Sequence, residues 1–183
     1  MESIIIRKAD PKDYPAIIEL QNKNTPDKLS EKEKEQGFVV SDMTEETLHQ
    51  INESIGVLVA LEGEALAGFV CLTATDSLPE HPVIESMCET FPHQIFNNKS
   101  LIDYKIFLYG PVLIDPKWRG RGIFKKIFSA VKEYSKKDYN LGVAFINDKN
   151  KHSLSAHLQG LGMTPLQPFK SGNESFQLVV FPV

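Results

Sequence analysis

"DPKWRGRGIF", residues 115–124, stands between an apolar run ending at Ile114 and a stretch of helical period. It interleaves two arginines with two glycines in a chain whose formal net charge is -4. Fixed positive charge and bare backbone gathered at one turn of an acidic chain point to an anionic ligand at that turn. The residues before it read as a strand that delivers the chain to Pro116, after which Gly120 and Gly122 open a helix. The first turn of a helix carries unpaired N–H groups and the positive end of the helix dipole. Glycine lets a ligand come close to that backbone, and Arg119 and Arg121 add charge and forked donors. The set suits a pyrophosphate; a surface turn that is merely basic is the competing reading. Two other phosphate loops are excluded. The dinucleotide pattern needs a third glycine where Lys125 stands, and a P-loop needs a Gly-Lys-Ser/Thr ending.

Working outward, the apolar run is "YKIFLYGPVLID", residues 104–115, with Gly110 and Pro111 inside it. Proline cannot donate to a ladder, so a bulge or a strand splaying from its neighbour is expected there. Downstream, Ile123, Phe124, Ile127, Phe128, Val131 and Tyr134 share one helical face, and Phe124 is expected to turn into the core with Phe128. "LGVAFI" is a buried strand, "NKHSLSAHLQGLG" a short helix stopped by glycine, and "SFQLVVF" a closing strand. Upstream, "SIIIRKA" reads as a strand. A helix follows, with Asp10 as capping carboxylate, Pro11 in its first turn, Ile17, Ile18 and Leu20 on its apolar face, and an end near Asn24.

The charged stretch "TPDKLSEKEKEQG" reads as a solvated loop or frayed helix. Thr44 caps a further helix whose Leu48, Ile51 and Ile55 line one side. "VLVAL" and "ALAGFVCLTA" flank Gly63 as a hairpin. The result is an α/β domain spanning residues 1–183, one sheet with helices on both faces. Residues 75–103 form a long insertion with three prolines, of the kind that serves as a binding loop.

Composition closes off several functions. A net charge of -4 and a pI near 5.7 exclude a nucleic-acid binder working by bulk electrostatics. Cys71 and Cys88 make no disulfide framework and no metal-ligand spacing, so no metal is expected; Cys71, in "AGFVCL", reads as a buried inert thiol. No basic segment leads into an apolar one at the N-terminus, and no run has membrane-spanning length. The expectation is a cytoplasmic protein without a membrane partner. "SFQLVVFPV" suits either an edge strand pairing across a homodimer or burial within one chain.

"Arg119-Gly120-Arg121-Gly122-Ile123" resembles the acetyl-CoA pyrophosphate loop of the GNAT superfamily of N-acetyltransferases, R/Q-x-x-G-x-G/A. About thirty residues on, "Asn150-Lys151-His152-Ser153" and then "LGM" at 161–163 resemble that family's second stretch. The order of elements agrees along nearly the whole chain. Two positions depart from the pattern. Phe124 replaces the loop's final G/A, and the tyrosine that often acts as general acid is replaced by His157 or Leu158, depending on where one extra residue before Leu161 is accommodated.

The resemblance implies a GNAT fold: a single mixed, mostly antiparallel sheet with helices on both faces and a splayed strand pair forming the CoA cleft. It implies acetyl-CoA as co-substrate and direct transfer to a primary amine of a small molecule or peptide. Pantetheine would lie along Val112, Leu113 and Ile114, and pyrophosphate on Arg119 to Phe124. An N–H of Leu113 or Ile114 would serve the oxyanion. Asn150 would bind the pantetheine amides, or cap the helix that begins at Lys151. His157 is the expected general acid, with Tyr104 and Tyr109 as alternatives. The base is unassigned among Asp76, Glu80, His81, Glu85, Glu89, His93 and Asp103, each of which also reads as a solvated surface group. Two other readings stand beside this one: a GNAT-fold module that binds a CoA ester without turnover, and an unrelated α/β domain with a basic turn and no CoA affinity.

Overall fold

The period-2 and period-3.6 segments become strands and helices where the sequence places them. The computed structural model describes residues 3–39 and 41–183. Strand β1 (Ile4–Lys8) leads through a 3-10 turn into α1 (Tyr14–Lys23), then come the short α2 (Glu31–Lys34) and α3 (Glu45–Ser54). The hairpin β2 (Gly56–Glu62) and β3 (Ala65–Ala74) turns at Gly63, whose φ is +61°. Helix α4 (Pro82–Thr90) and the small hairpin β4 (Ile95–Phe96) and β5 (Lys99–Ser100) precede β6 (Ile106–Ile114). Then follow α5 (Ile123–Ser135), β7 (Leu141–Asn147) and α6 (Lys151–Ser155), which runs on as a π turn, Ala156–Gly160. Strands β8 (Thr164–Pro165), β9 (Phe169–Ser171) and β10 (Glu174–Pro182) complete the chain.

One eight-stranded sheet runs β1-β2-β3-β6-β7-β10-β8, with β9 also on β10. All its pairings are antiparallel except β6 with β7. The closing strand β10 is interior, between β7 and the short β8 and β9, rather than an edge. Alternation along each strand sends side chains to two faces. One face carries Leu58, Val70, Leu72, Phe107, Tyr109, Ala144 and Phe181, covered by Ile123, Ile127, Phe128 and Val131 of α5. The other is shared by two blocks. α1 and α3 set Ile17, Leu20, Leu48 and Ile51 against Val57, Val59, Phe69 and Leu113. The 75–103 segment sets Ile84, Met87, Phe91, Phe96 and Leu101 against Ile106, Leu108, Val143 and Leu178.

Caps explain the helix starts. Thr44 Oγ1 accepts from Thr47 N–H at 3.1 Å as expected. At the turn into α1, Asp10 holds the N-cap position and shares a capping box with Asp13, whose carboxylate accepts the Asp10 N–H at 2.7 Å and is gripped by both terminal nitrogens of Arg7, at 2.7 and 3.0 Å. Phe124 does not join Phe128 in the core. It is half-buried with its ring against His157, centroids 5.1 Å apart, and Tyr134 is 40% exposed. No helix among the described residues is long and apolar enough to cross a membrane.

Candidate functional site

Strand β6 pairs with β7 through three rungs, Ile106–Leu141, Phe107–Gly142 and Leu108–Val143, and then departs from it. β7 continues to Asn147 against β10, while β6 continues to Ile114 against β3. The β3 register slips between Val70 and Leu72, opposite Gly110 and Pro111, where the sequence predicts a break. The gap is a cleft of about 460 Å³. Backbone polarity inside it follows from strand alternation. Asp115 N–H donates to Ala67 C=O at 2.9 Å, so Leu113, opposite Phe69, turns its N–H and C=O to β3. Val112 and Ile114 turn theirs to the side that β7 has left. Of the two amides expected to serve an oxyanion, Ile114 has the required direction and Leu113 does not.

At the mouth of the cleft, Asp115 Oδ1 accepts the Lys117 N–H at 2.8 Å and folds Pro116–Trp118 into a 3-10 turn. Gly120 and Gly122 follow with φ of +76° and +74°. A Cβ at either would meet nothing within 4 Å, so the left-handed backbone, rather than crowding, demands glycine. Gly122 occupies the N-cap position of α5 without a side-chain cap, which leaves first-turn amides of the helix for a ligand. Gly120, Gly122, Ile123, Phe124 and Lys125 line the cleft.

The two arginines diverge. Arg119 lines the cleft, with its Nε on the Ile114 carbonyl and Nη1 on the Gln36 carbonyl, both at 3.3 Å. Burial lowers its pKa, yet a guanidinium stays charged, and no ion pair holds it among the described residues. Arg121 lies outside the cleft lining and is ion-paired with Glu62, which also accepts Trp118 Nε1–H at 3.1 Å.

The facing wall comes from α6. Asn150 is 8% exposed and caps that helix, its Oδ1 accepting from Ser153 N–H at 3.4 Å, while its Nδ2 donates to the Phe38 carbonyl at 3.0 Å. The π turn absorbs the extra residue before Leu161, whose N–H reaches back to Ala156 C=O at 3.0 Å. That choice turns His157 into the cleft, 5% exposed, and packs Leu158 on the core. His157 Nδ1 lies 2.7 Å from the Ser153 carbonyl and 3.3 Å from its Oγ. Burial holds the imidazole below its ordinary range, the Ser153 carbonyl partly opposing.

Of the two tyrosine alternatives, Tyr104 donates its hydroxyl to the Phe96 carbonyl at 2.7 Å, outside the cleft lining. The Tyr109 hydroxyl is buried without a partner among the described residues, and burial pushes its phenol far up. Burial likewise pushes up the Cys71 thiol, as an inert core residue requires. The suggested bases Asp76, Glu80, His81, Glu85, Glu89, His93 and Asp103 are absent from the cleft lining.

Gln36 to Val39, which the sequence suggests is part of a solvated stretch or beyond it, lie across the cleft between Arg119 and Asn150. The signal available was Gly37, with φ +98°, followed by the apolar pair Phe38-Val39 at the end of a charged run.

A mixed sheet whose parted parallel strands end in a glycine-arginine helix start offers one cleft with an open backbone edge and unpaired helix amides in an α/β fold. The chain belongs to the Acetyltransferase (GNAT) family, whose model matches residues 14–163. Members of that family are acyltransferases. Comparison with curated proteins found no match. Among solved structures the chain resembles yncA from Salmonella typhimurium, determined with its cofactor acetyl-CoA (TM-score 0.64, 16% identity, 99% of this chain and 94% of that one). It also resembles the ribosomal-protein-S18-alanine N-acetyltransferase of Escherichia coli (0.63, 12%, 99% and 94%). An N-acetyltransferase from Staphylococcus aureus Mu50 is similar too (0.61, 16%, 99% and 99%). At these identities the likeness is one of fold.

Proposed function

We propose that the protein, as a single cytoplasmic domain, transfers the acetyl group of acetyl-CoA to a primary amine of a small molecule or peptide, by direct attack in a ternary complex. The observation that carries this reading is the union, in one cleft, of an open strand edge at Val112 and Ile114 with the Gly120–Gly122 helix start. An amide-bearing arm suits the first and a pyrophosphate the second. Arg119, Gly120, Gly122, Ile123 and Phe124 would hold the phosphates, with Arg121 acting from outside. Val112, Leu113 and Ile114 would lie along the pantetheine, and Asn150 would exchange the Phe38 carbonyl for one of its amides. The co-substrate would supply an activated acetyl thioester, and the Ile114 N–H would stabilise its carbonyl oxygen. His157 would give the departing sulfur its proton. The 75–103 segment lies across the sheet from α5, and its apolar block meets that of α1 and α3 along β6, between Leu108 and Leu113. That supports its shaping the acceptor side.

Isothermal titration with acetyl-CoA and with free CoA tests the reading. Wild type is expected to bind at micromolar levels and Arg119→Glu to lose about 100-fold, the worth of charge-assisted hydrogen bonds to a phosphate. A wild type folded by circular dichroism that binds neither ligand overturns it.

A further inference from the structure

The unassigned member of this site is the group that takes a proton from the amine. Titratable side chains lining the cleft are Arg119 from the loop, Lys125 from α5, and His152 and His157 from the facing wall; no carboxylate is among them. Arginine and lysine are already protonated at neutral pH and cannot accept. His152 is exposed, its ring against the backbone of Gly37. His157 is buried and oriented.

The orientation fixes the chemistry. A carbonyl oxygen has no proton to give, so the 2.7 Å contact with Ser153 C=O requires that His157 Nδ1 donate. The neutral imidazole then carries its lone pair on Nε2. No described residue bonds Nε2, yet the Tyr109 hydroxyl is the one buried side-chain polar atom without a partner among the described residues. Nε2 is therefore without a described partner yet not sealed from its surroundings, on a residue that lines the cleft. The ring is fixed edge-to-face against Phe124 and Tyr109, at centroid distances of 5.1 and 5.9 Å.

A general acid at rest would need a proton on Nε2, and the Ser153 carbonyl holds that proton on the other nitrogen. Resting on the acetyl-transfer reading above, we propose that His157 is a proton carrier serving both halves of the reaction: Nε2 first accepts the proton of the attacking amine, then delivers it to the departing sulfur. The balance closes on one residue. The C–N bond forms as the C–S bond breaks, one N–H proton passes to Nε2, and the same proton leaves for the CoA thiolate. An acceptor that arrives as an ammonium loses one further proton to solvent beforehand. Between transfers Nδ1–H stays on the Ser153 carbonyl, which favours the transient imidazolium. The facing cations Arg119 and Lys125 and the un-ionised Tyr109 offer it no counter-charge, so the proton is handed on rather than kept. Burial, which disfavours the charged ring, acts in the same direction.

The test pairs wild type with His157→Asn, whose amide N–H can replace the Nδ1–H bond but whose side chain carries no proton at neutral pH. Imidazole nitrogen NMR on wild type is expected to show Nδ1 protonated and Nε2 bare at pH 7; the opposite tautomer overturns the proposal. Titration calorimetry is expected to give the same acetyl-CoA affinity for both proteins. Thiol release from acetyl-CoA, with water and with spermidine as probe acceptors, is expected to fall at least about 100-fold in the variant at unchanged KM for acetyl-CoA, the usual worth of a positioned base. Its dependence on one deprotonation is expected to vanish as well. If wild type binds acetyl-CoA but releases thiol no faster than the variant, the carrier role is overturned. If it does not bind, the underlying reading fails instead.

Discussion

From Ile106 to Leu108 strand β6 has β7 on one side, at Phe107 and Leu108 it has β3 on the other as well, and Phe107 is without solvent exposure. From Val112 to Ile114 the same strand keeps β3 but has lost β7, and Val112 and Ile114 are half-exposed along the cleft. Three rungs separate a core from a binding surface. Where both ladders are present the backbone is consumed by the fold; where one is missing, every second amide is left for something else. Substitutions at the two ends should therefore fail differently, in stability at one and in recognition at the other.

The largest effect is expected at the enclosed end. Gly142 lies opposite Phe107, and a Cβ there would stand 2.2 Å from the ring of Phe181. That ring cannot retreat: it packs against Phe107, Tyr109 and Phe128 at centroid distances of 5.8, 5.4 and 4.8 Å. Gly142→Ala should cost about 3 kcal/mol, the upper range for overpacking a filled core, read from urea unfolding midpoints. The fraction that stays folded should bind acetyl-CoA normally.

At the open end the arginines sharpen the contrast. Arg119 is held by backbone carbonyls that a phosphate can replace, whereas Arg121 is engaged by Glu62. Beside the loss of about 100-fold expected for Arg119→Glu, Arg121→Glu should weaken acetyl-CoA binding by about 3-fold, the scale of an exposed charge contact. Equal losses in the two variants would mean that Arg121 leaves Glu62 for the ligand.

The sequence made one part of this geometry legible and hid the other. The glycine-arginine turn, the helix after it, the Gly63 hairpin and the Thr44 cap are written in residues a few positions apart, where period and turn chemistry act locally. The parting at Gly110-Pro111 was readable for the same reason. Three features were set by distant partners. Gln36–Val39 reach the cleft because Arg119 and Asn150 offer donors 83 and 112 residues away along the chain. Phe124 was expected in the core by helical phase, but His157 gives it a partner at the surface of the cleft. The extra residue before Leu161 could be counted in the sequence. Which side chain it turned inward depended on where the helix widened, and only the Ala156–Leu161 bond decides that.

A pH series tests the state of the facing wall. His157 has its pKa lowered by burial, so below about 6.5 the unfolded chain takes up a proton that the folded chain resists. Its contribution therefore makes stability fall as pH drops through that value, until the folded group protonates as well. His157→Asn removes this component, and the difference in unfolding free energy between wild type and variant should narrow from pH 7 to pH 5. A difference that stays constant would mean that the ring is as accessible to protons folded as unfolded.

A small effect, on stability alone, belongs to Tyr109, the residue at which β6 passes from its enclosed half to its open one. Its ring is fully used, edge-to-face on Phe128, Phe181 and His157 at 6.2, 5.4 and 5.9 Å. Its hydroxyl is buried and bonded to no described residue. A hydroxyl desolvated without a partner costs about 1–3 kcal/mol relative to one that is bonded. Tyr109→Phe keeps the ring contacts and removes the orphan, so stability should rise by up to about 1 kcal/mol, and acetyl-CoA affinity should not change. A stability loss of that size would place a bound water on the hydroxyl. A loss of affinity instead would move the boundary between core and cleft one residue deeper, and make Tyr109 part of the open half.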